Sequence, residues 1–319
     1  MLSSPPTVSS LAVSELRRRC AGAGLVLRTG PFSCRVRTDI PHLVDTITLL
    51  YADYPLAGDD GFADFDITLR RSGGLRRWFH PQVGFEQDGI TPFLPLPLAQ
   101  AHPMFEWVMN WCVSTKAHGY LLIHAAVLER GGCAVILPAP PGSGKSTLCA
   151  ALASRGWRLL SDEMTLVRPA DLALVPMPRP VSLKNASIGI MRAFAPAAVF
   201  GPAVPETVKG TIAHMRASRE SIAAAGRVAR ATHIVFPRYE SGAATSLAAL
   251  PKARMFMGVA DNAFNYPILG ATGFDTLARL VDACEGFEFR YSSLDEAMAV
   301  FEGLAAAGSE SGLASGAAA

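Results

Sequence analysis

Two patterns of hydrophobic residues divide the chain near residue 100. In the first part, apolar and polar residues alternate at Leu25–Arg37 and Phe62–Leu69, which is typical of half-buried strands. Gly30-Pro31 lies within the first stretch and predicts a hairpin turn. Helical spacing at Val13–Cys20 and His42–Tyr51 indicates two helices. The first part is therefore predicted to be a small α+β unit with a mainly antiparallel sheet.

The second pattern begins at Tyr120, where apolar runs alternate with helical segments. This arrangement favours an α/β core, and a helix at Met104–Cys112 is expected to precede it. We therefore divide the chain into residues 1–100, a small domain of unknown role, and residues 101–303, an α/β domain that holds the candidate functional motifs described below. Residues 304–319 are rich in Ala, Gly and Ser, and this composition predicts a disordered tail.

Composition narrows the classes of function. Hydrophobic residues make up 50% of the chain and charged residues 18%, which is enough apolar surface for a sizeable core. The formal net charge of +2 gives no reason to expect nucleic acid or an anionic membrane as partner, and no apolar run is long enough to span a bilayer. Six scattered cysteines without a CxxC pair favour free thiols in a cytoplasmic protein.

The strongest signal for chemistry is a glycine-rich loop between an apolar run, Ala134–Leu137, and a segment with helical spacing. This is the strand–loop–helix context that a GxxxxGK[ST] phosphate loop requires. The ATP-binding residues that it predicts are Ala139, Pro140, Pro141, Gly142, Ser143, Gly144, Lys145, Ser146 and Thr147.

Each part of the loop has a physical task. Gly142 and Gly144 let backbone N–H groups turn toward phosphates, while the helix N-terminus adds a partial positive charge. Lys145 supplies a full charge to the β- and γ-phosphates, and we expect it to face solvent without ligand. Ser146 offers a hydroxyl to Mg²⁺. Ala139 departs from the pattern, because the motif begins with glycine.

A histidine is expected at the same loop. Gly131-Gly132 predicts a hairpin in which Arg130 pairs with Cys133. That register places His124 opposite Ala139, at the start of the phosphate loop. An imidazole there can hold the γ-phosphate or exchange a proton, whereas a lone histidine is more often a core residue.

Two carboxylates follow the next apolar run. Asp162 and Glu163 end the predicted strand Trp157–Ser161, and ligand chemistry collects at the carboxyl ends of parallel strands. One carboxylate can accept a proton from an attacking hydroxyl while the other holds Mg²⁺ through water; the alternative is a turn pair at a strand end.

Cations downstream of the carboxylates are candidates for contacts with phosphate or substrate. Arg179, Lys184 and Lys209 lie in segments bounded by Pro or Gly, for which a surface loop is an equally good interpretation. Arg238 and Asn265 are weaker site candidates.

These motifs together resemble a known family. Ile123-His124, the phosphate loop and Arg155–Glu163 are similar to the catalytic domain of bacterial HPr kinase/phosphorylase. Over residues 25–303 the chain more closely resembles the proteins called HprK-related kinase A. The motifs of this closer resemblance include Gly30-Pro31-Phe32, Glu106-Trp107, Asn110-Trp111, Pro178-Arg179-Pro180 and Ser182-Leu183-Lys184-Asn185.

The resemblance implies a phosphoenolpyruvate-carboxykinase-like P-loop fold and ATP- and Mg²⁺-dependent phosphorylation of a serine on a peptide or protein. By motif, His124 matches the active-site histidine of the family, and Lys145 and Ser146 match its loop residues. Asp162 matches the aspartate credited with general-base work. Glu163 stands where the family has a second Asp, which suits a water-mediated contact to Mg²⁺.

One departure bears on the direction of the reaction. The family signature tied to phosphorolysis is absent, and Lys184 and Asn185 stand in the corresponding region. We therefore expect no reverse, phosphorylase activity. Similar proteins are associated with peptide-modification systems that contain PqqD-like chaperones, which favours a ribosomal peptide as acceptor. The resemblance also suggests a homo-oligomer.

The sequence thus predicts a peptide or protein kinase. A nucleotide-gated binding or ATPase component of a peptide-maturation complex is the first alternative, although such a module needs the loop and not a base beside it. A small-molecule kinase is the second, because no motif marks the acceptor side.

Overall fold

The computed structural model describes residues 5–57, 62–74, 76–87 and 89–316. The chain is a mixed α/β protein whose strands form three sheets. The helices are α1 (Val13–Ala21), α2 (Pro41–Leu50), α3 (Arg76–Phe79), α4 (Ala101–Lys116), α5 (Lys145–Ser154), α6 (Ala186–Phe194), α7 (Arg219–Ala223), α8 (Lys252–Ala260), α9 (Tyr266–Ala283) and α10 (Leu294–Gly316).

The described residues also form strands, several of which follow one another with no helix between them. They are β1 (Leu25–Thr29), β2 (Phe32–Thr38), β3 (Phe65–Arg71), β4 (Gln82–Glu86), β5 (Leu96–Pro97), β6 (Leu121–Ile123), β7 (Ala125–Arg130), β8 (Cys133–Pro138), β9 (Arg158–Ser161), β10 (Thr165–Val167), β11 (Ala173–Val175), β12 (Val181–Lys184), β13 (Val204–Thr207), β14 (Gly210–Met215), β15 (Ala229–Tyr239), β16 (Ser246–Ala249) and β17 (Glu285–Tyr291).

The first sheet has the order β1-β2-β3-β4-β5. The predicted hairpin is confirmed, with Thr29 opposite Phe32 across Gly30-Pro31. The sheet is mainly antiparallel, as predicted, because β2 and β3 are its parallel pair and the other neighbours run in opposite directions.

The hydrophobic core continues from this sheet into the second part of the chain. Leu27 and Phe85 of the first sheet belong to the same buried cluster as Phe105 of α4 and Leu128 of β7. Burial of apolar surface therefore joins the two parts. The domain boundaries near residues 100 and 303 stay predictions.

The largest sheet carries the phosphate loop. Its path is β6-β10-β11-β15-β8-β7-β9, and β17 pairs with β15 and β16. β7 runs antiparallel to both β8 and β9, so β8 and β9 are parallel to each other. The start of β7 and the ends of β8 and β9 consequently lie at one edge of the sheet.

The predicted register of the β7–β8 hairpin is confirmed. Arg130 pairs with Cys133 and Ala125 pairs with Pro138. The residue before Ala125, His124, therefore lies beside the point where β8 gives way to the phosphate loop. Two glycines with positive φ, Gly131 at 58° and Gly132 at 86°, make the tight turn.

A small third sheet, in the order β12-β14-β13, lies against the helix that follows the phosphate loop. Lys184 ends β12, opposite Ile212, and the turn between β13 and β14 carries Lys209. This sheet therefore supplies two of the predicted cations.

The loop between α8 and α9 is fixed to the large sheet by Asn265, which is fully buried. Its Oδ1 accepts a hydrogen bond from Leu122 N at 2.9 Å, and its Nδ2 donates to Tyr120 O at 2.8 Å. The backbone N of His124 donates to Asn262 O in the same loop at 2.6 Å. Asn265, a weak site candidate, is thus a structural residue that holds the backbone around His124.

The last helix, α10, spans Leu294–Gly316 and so extends into the segment after residue 304, for which disorder stays a prediction. Alanine has the highest helix propensity of all residues, so an Ala-rich composition also suits a helix. All six cysteines are free and buried, as predicted. In the part of the chain that the structure describes, no helix is long and apolar enough to cross a membrane.

Replacing Asn265 with Ala should lower the free energy of unfolding by about 1–3 kcal/mol, since the buried Leu122 N–H loses its acceptor. Urea denaturation of the purified variant measures this loss. Asn262→Ala is the matched control, because that half-buried amide donates within its own helix end to Gly258 O and should cost under about 1 kcal/mol. Equal losses in the two variants would contradict the anchoring role of Asn265.

Candidate functional site

The phosphate loop is shaped by two glycines in left-handed conformation, Gly142 with φ 88° and Gly144 with φ 85°. A Cβ on Gly144 would lie 2.6 Å from Tyr291 Oη and 2.8 Å from Tyr239 Cβ, so both its backbone and its surroundings require glycine. Ala139 is buried and is not among the residues with positive φ, so alanine in place of the first glycine carries no left-handed strain.

Two tyrosines at the ends of neighbouring strands brace the loop. Tyr291 Oη donates to Gly144 O at 3.1 Å, and Tyr239 N donates to Ser143 O at 2.9 Å. Sequence reasoning missed both tyrosines, because their distance along the chain from the loop gives no signal. The braced loop leads directly into α5, whose first turn holds Lys145 and Ser146.

The expectation that Lys145 faces solvent is wrong. The side chain is 7% exposed, and its Nζ donates to the backbone O of Asp162 at 3.3 Å. The loop and the end of β9 therefore lie close together, because the ammonium group of Lys145 spans the distance between them. This hydrogen bond fixes the position of Lys145, whose charge acts on both carboxylates.

Asp162 is buried, and its two oxygens differ. Oδ2 accepts from Ser182 N at 3.0 Å, whereas Oδ1 has no hydrogen-bond partner among the described residues. Burial and the neighbouring Glu163 raise the pKa of Asp162, while Lys145 opposes the rise. A carboxylate with a raised pKa and a free oxygen is suited to accept a proton.

The pKa of Glu163 is shifted in the opposite direction to that of Asp162. Burial disfavours its charge, but Lys145, Lys184, Arg179 and Lys209 together keep the pKa of Glu163 below its usual value. Its Oε2 also accepts a hydrogen bond from Asn110 Nδ2 of α4. Adjacent carboxylates with pKa values displaced in opposite directions can take different roles, one as base and one as a permanent anion.

A buried chain of polar side chains continues behind Glu163. Arg179 donates to Asn110 Oδ1 at 2.5 Å, and its guanidinium lies 3.7 Å from Glu106. Arg179 is 7% exposed, so the structure places this predicted substrate contact behind the carboxylates rather than on an open surface. Asn110 was missed as a site residue, although its spacing from Glu106 puts both on one face of α4.

Glu106 connects this chain to the first part of the molecule. Tyr51 Oη of the α2 C-terminus donates to Glu106 Oε1 at 2.7 Å, and His102 Nε2 lies 3.3 Å from the same oxygen. Burial opposes ionisation, but the neighbouring His102 and the charge of Arg179 lower the pKa of Glu106 to about 2. Glu106 is therefore ionised at neutral pH.

His124 lies beside the phosphate loop, as the register predicted. Burial and the charges of Lys145 and Lys184 lower its pKa to about 4, so the imidazole is neutral at neutral pH. Its ring centroid is 5.6 Å from that of Phe264, which is half exposed. A neutral imidazole can hydrogen-bond a phosphate oxygen but carries no charge to it.

The remaining cations differ in position. The charges of Lys184 and Lys209 act on both Glu163 and His124, and Lys209 Nζ lies 5.6 Å from the Trp107 ring centre. Arg238 is instead mostly exposed, with its guanidinium 3.8 Å from Glu240. The structure thus brings the two lysines together with the carboxylates, and gives Arg238 a surface pair.

The residues at this edge suit MgATP. The Glu163 carboxylate and the Ser146 hydroxyl in the first turn of α5 are oxygen ligands of the kind that Mg²⁺ prefers, which leaves Asp162 Oδ1 free to accept a proton. No three His, Cys, Asp or Glu side chains within the described ranges form a metal cluster of their own. Mg²⁺ at such a site is typically completed by substrate phosphates and water.

The buried charge of Glu106 generates a prediction for stability against pH. A folded pKa of about 2 against the reference value of 4.5 stabilises the protein above pH 4.5 by roughly 3 kcal/mol, and this contribution is lost as pH falls toward 2. Glu106→Gln should therefore lower the free energy of unfolding strongly at pH 6 and much less at pH 3. Chemical denaturation at both pH values measures the difference.

The control for this experiment is Glu302→Gln, since Glu302 is more than half exposed and pairs with Arg130 on the surface. Its effect should stay small at both pH values. A pH-independent loss in Glu106→Gln would indicate that packing, rather than charge, accounts for the stabilisation.

One comparison with known proteins covers this site. A family model described as SynChlorMet cassette protein ScmC matches residues 100–180, roughly a quarter of the chain. No curated protein matches the sequence. The matched segment begins next to α4 and includes His124, the phosphate loop and both carboxylates, so the similarity to this cassette protein lies in the part that builds the candidate site.

Proposed function

We propose that the protein is an ATP- and Mg²⁺-dependent kinase that phosphorylates a hydroxyl group, such as that of serine, on a peptide or protein in a peptide-modification system. The observation that carries the proposal is the meeting of four features at one sheet edge. These are the glycine loop with Lys145, neutral His124, the proton acceptor Asp162 and the anion Glu163.

In this proposal the loop binds the triphosphate. Backbone N–H groups of the loop and the N-terminus of α5 would bind the phosphates, and Lys145, held by its hydrogen bond to Asp162 O, would add a full charge. Lys184 and Lys209, whose charges act on Glu163, neutralise further negative charge at the same site. Mg²⁺ held near Ser146 and Glu163 supplies further neutralisation of the charge that develops on the phosphates.

The transfer step is assigned to Asp162. Oδ1 accepts the proton of the attacking hydroxyl, while Ser182 N keeps the carboxylate oriented through Oδ2. His124 hydrogen-bonds the transferring phosphoryl group. Positioning and charge neutralisation account for most of the catalysis of phosphoryl transfer, so these few groups are sufficient.

The acceptor class rests on the similarity to a cassette protein and on the size of the site. The cavity lined by Asp162, Glu163 and Asn110 holds about 10 Å³, room for about one water molecule. A peptide acceptor must therefore bind outside this cavity and present one side chain to the edge. A peptide-modification cassette also provides the setting in which a small peptide chaperone of the PqqD-like kind would assist.

Lys145→Ala should weaken MgATP binding about ten- to a hundredfold, since it removes a charge-assisted contact worth roughly 1.5–3 kcal/mol. Isothermal titration calorimetry measures the affinity, and thermal unfolding shows whether removal of this buried side chain leaves the fold intact. Arg254→Ala, which removes an exposed cation of α8, is the control. Unchanged MgATP affinity in folded Lys145→Ala protein would exclude the phosphate-loop assignment.

Asp162→Asn should retain MgATP binding and lower transfer by about 10²–10⁴-fold, because the amide keeps the shape but accepts no proton. Glu163→Gln should instead raise the Mg²⁺ concentration needed for half-maximal transfer. The measurement is single-turnover phosphate incorporation into peptides encoded in the same gene cassette, followed by mass spectrometry.

The outcomes also separate the alternatives. Near-normal transfer by Asp162→Asn would remove the proposed mechanism while leaving the nucleotide site. A protein that binds MgATP and modifies none of the peptides would favour the nucleotide-gated binding component, and transfer to a small hydroxyl compound would favour the small-molecule kinase.

A further inference from the structure

A second and much larger concavity lies at the far end of α5 from the phosphate loop. Its volume is about 960 Å³, against about 10 Å³ for the cavity beside Glu163. Its walls are residues 153–158 at the end of α5, 194–199 after α6, and 215–221 around the start of α7, together with Asp53. With ten residues at about 1.5 Å each, α5 separates this groove from Lys145 by roughly 15 Å.

Two arginines of the groove each form a close ion pair with a carboxylate. Arg216 forms a close ion pair with Asp53, and Arg158 Nε lies 2.7 Å from Glu129 Oε2. Arg158 and Glu129 are both largely buried, so this pair is shielded from solvent. Each acid therefore has one near cation that neutralises it.

A second arginine stands farther from each acid. Arg219 lies 3.9 Å from Asp53 with its side chain 82% exposed, and Arg227 lies 3.8 Å from Glu129 with its side chain 70% exposed. Such distant, solvent-exposed ion pairs contribute little to the free energy of unfolding. These two guanidinium groups are positive charges in excess of the acids beneath them.

A third guanidinium and an apolar floor complete the groove. Arg155 lies over the ring of Phe194 with 4.7 Å between its Cζ and the ring centre. Pro196, Val199 and Met215 also line the floor. The groove thus presents apolar surface bordered by excess positive charge, although Glu220 adds one acid to the lining.

We propose that this groove docks an acidic, partly apolar peptide segment of a partner protein in extended conformation. Charge complementarity selects the acidic side chains, and the floor takes the apolar ones on the opposite side of the extended chain. A groove of this volume lies at the upper end of the range for ligand sites. Binding here requires neither ATP nor transfer, so it goes beyond the proposed function.

The test uses a fluorescein-labelled peptide of about ten residues that alternates Glu and Leu, with fluorescence anisotropy as the readout. Matched peptides carry Gln or Lys in place of Glu. The Glu peptide should bind at least tenfold more tightly than the Gln peptide, and the Lys peptide should not bind. The affinity should fall as salt is raised, because the arginines are solvated.

The decisive variant is Arg219→Glu/Arg227→Glu, which should weaken binding of the Glu peptide at least tenfold and leave MgATP affinity unchanged. Arg18→Glu/Arg254→Glu makes the same change in net charge at comparably exposed arginines outside the groove, and should bind normally. If the groove variant unfolds, Arg219→Gln/Arg227→Gln tests the same charges without adding acids. Lys145→Ala should keep full peptide binding, so failure of the nucleotide site stays distinguishable.

Three results would overturn the proposal. The first is equal binding of the Glu and Gln peptides. The second is an equal loss of Glu-peptide binding in the groove variant and in Arg18→Glu/Arg254→Glu, which would show that exposed arginines anywhere on the protein attract the peptide. Displacement of the Glu peptide by a single-stranded oligonucleotide at lower concentration than by unlabelled Glu peptide would assign the groove to nucleic acid instead.

Discussion

Two buried carboxylates and a half-buried one in the same region constrain the arrangement of the rest of this molecule. Burial of a charge is costly unless it is paired and hydrogen-bonded, and Glu106, Glu163 and Asp162 lie within a few side chains of one another. Arg179 pairs with Glu106 at 3.7 Å. It also donates a hydrogen bond to Asn110, which in turn donates to Glu163. At the other end, Lys145 Nζ donates to the backbone O of Asp162, and its charge opposes the rise in the pKa of the Asp162 carboxyl. The helix α4, the loop and the third sheet must all meet for these cations to be in place.

The same constraint explains why two adjacent acids behave differently. Glu163 has cations on several sides and an amide donor, so its pKa falls. For Asp162, burial and the like charge of Glu163 outweigh Lys145 and the single backbone donor Ser182 N, so its pKa rises. The difference arises from which elements end near each carboxylate. β12 supplies Ser182 to one, while α4 supplies Asn110 to the other.

The sequence predicted the parts of the site that follow from local rules. The register of the β7–β8 hairpin needed only Gly131-Gly132 and the pairing rule, and it placed His124 correctly. The position of Lys145 was missed, because its burial depends on the end of β9, which approaches from outside the loop. Tyr239, Tyr291 and Asn110 were missed for a similar reason. Their contacts join residues far apart in the chain, and no local pattern encodes them.

The hydrogen bond from Tyr51 to Glu106 has a consequence for how such a chain can be rearranged in evolution. A recombination event that joined residues from 101 onward to an unrelated N-terminal partner would keep every motif of the phosphate loop. The buried Oε1 of Glu106 would, however, lose the hydrogen bond from the Tyr51 phenol. Glu106 lies at one end of the row of polar side chains that continues through Asn110 to Glu163. The first hundred residues and the site thus form one electrostatic unit, and a replacement would have to supply a donor at the same place.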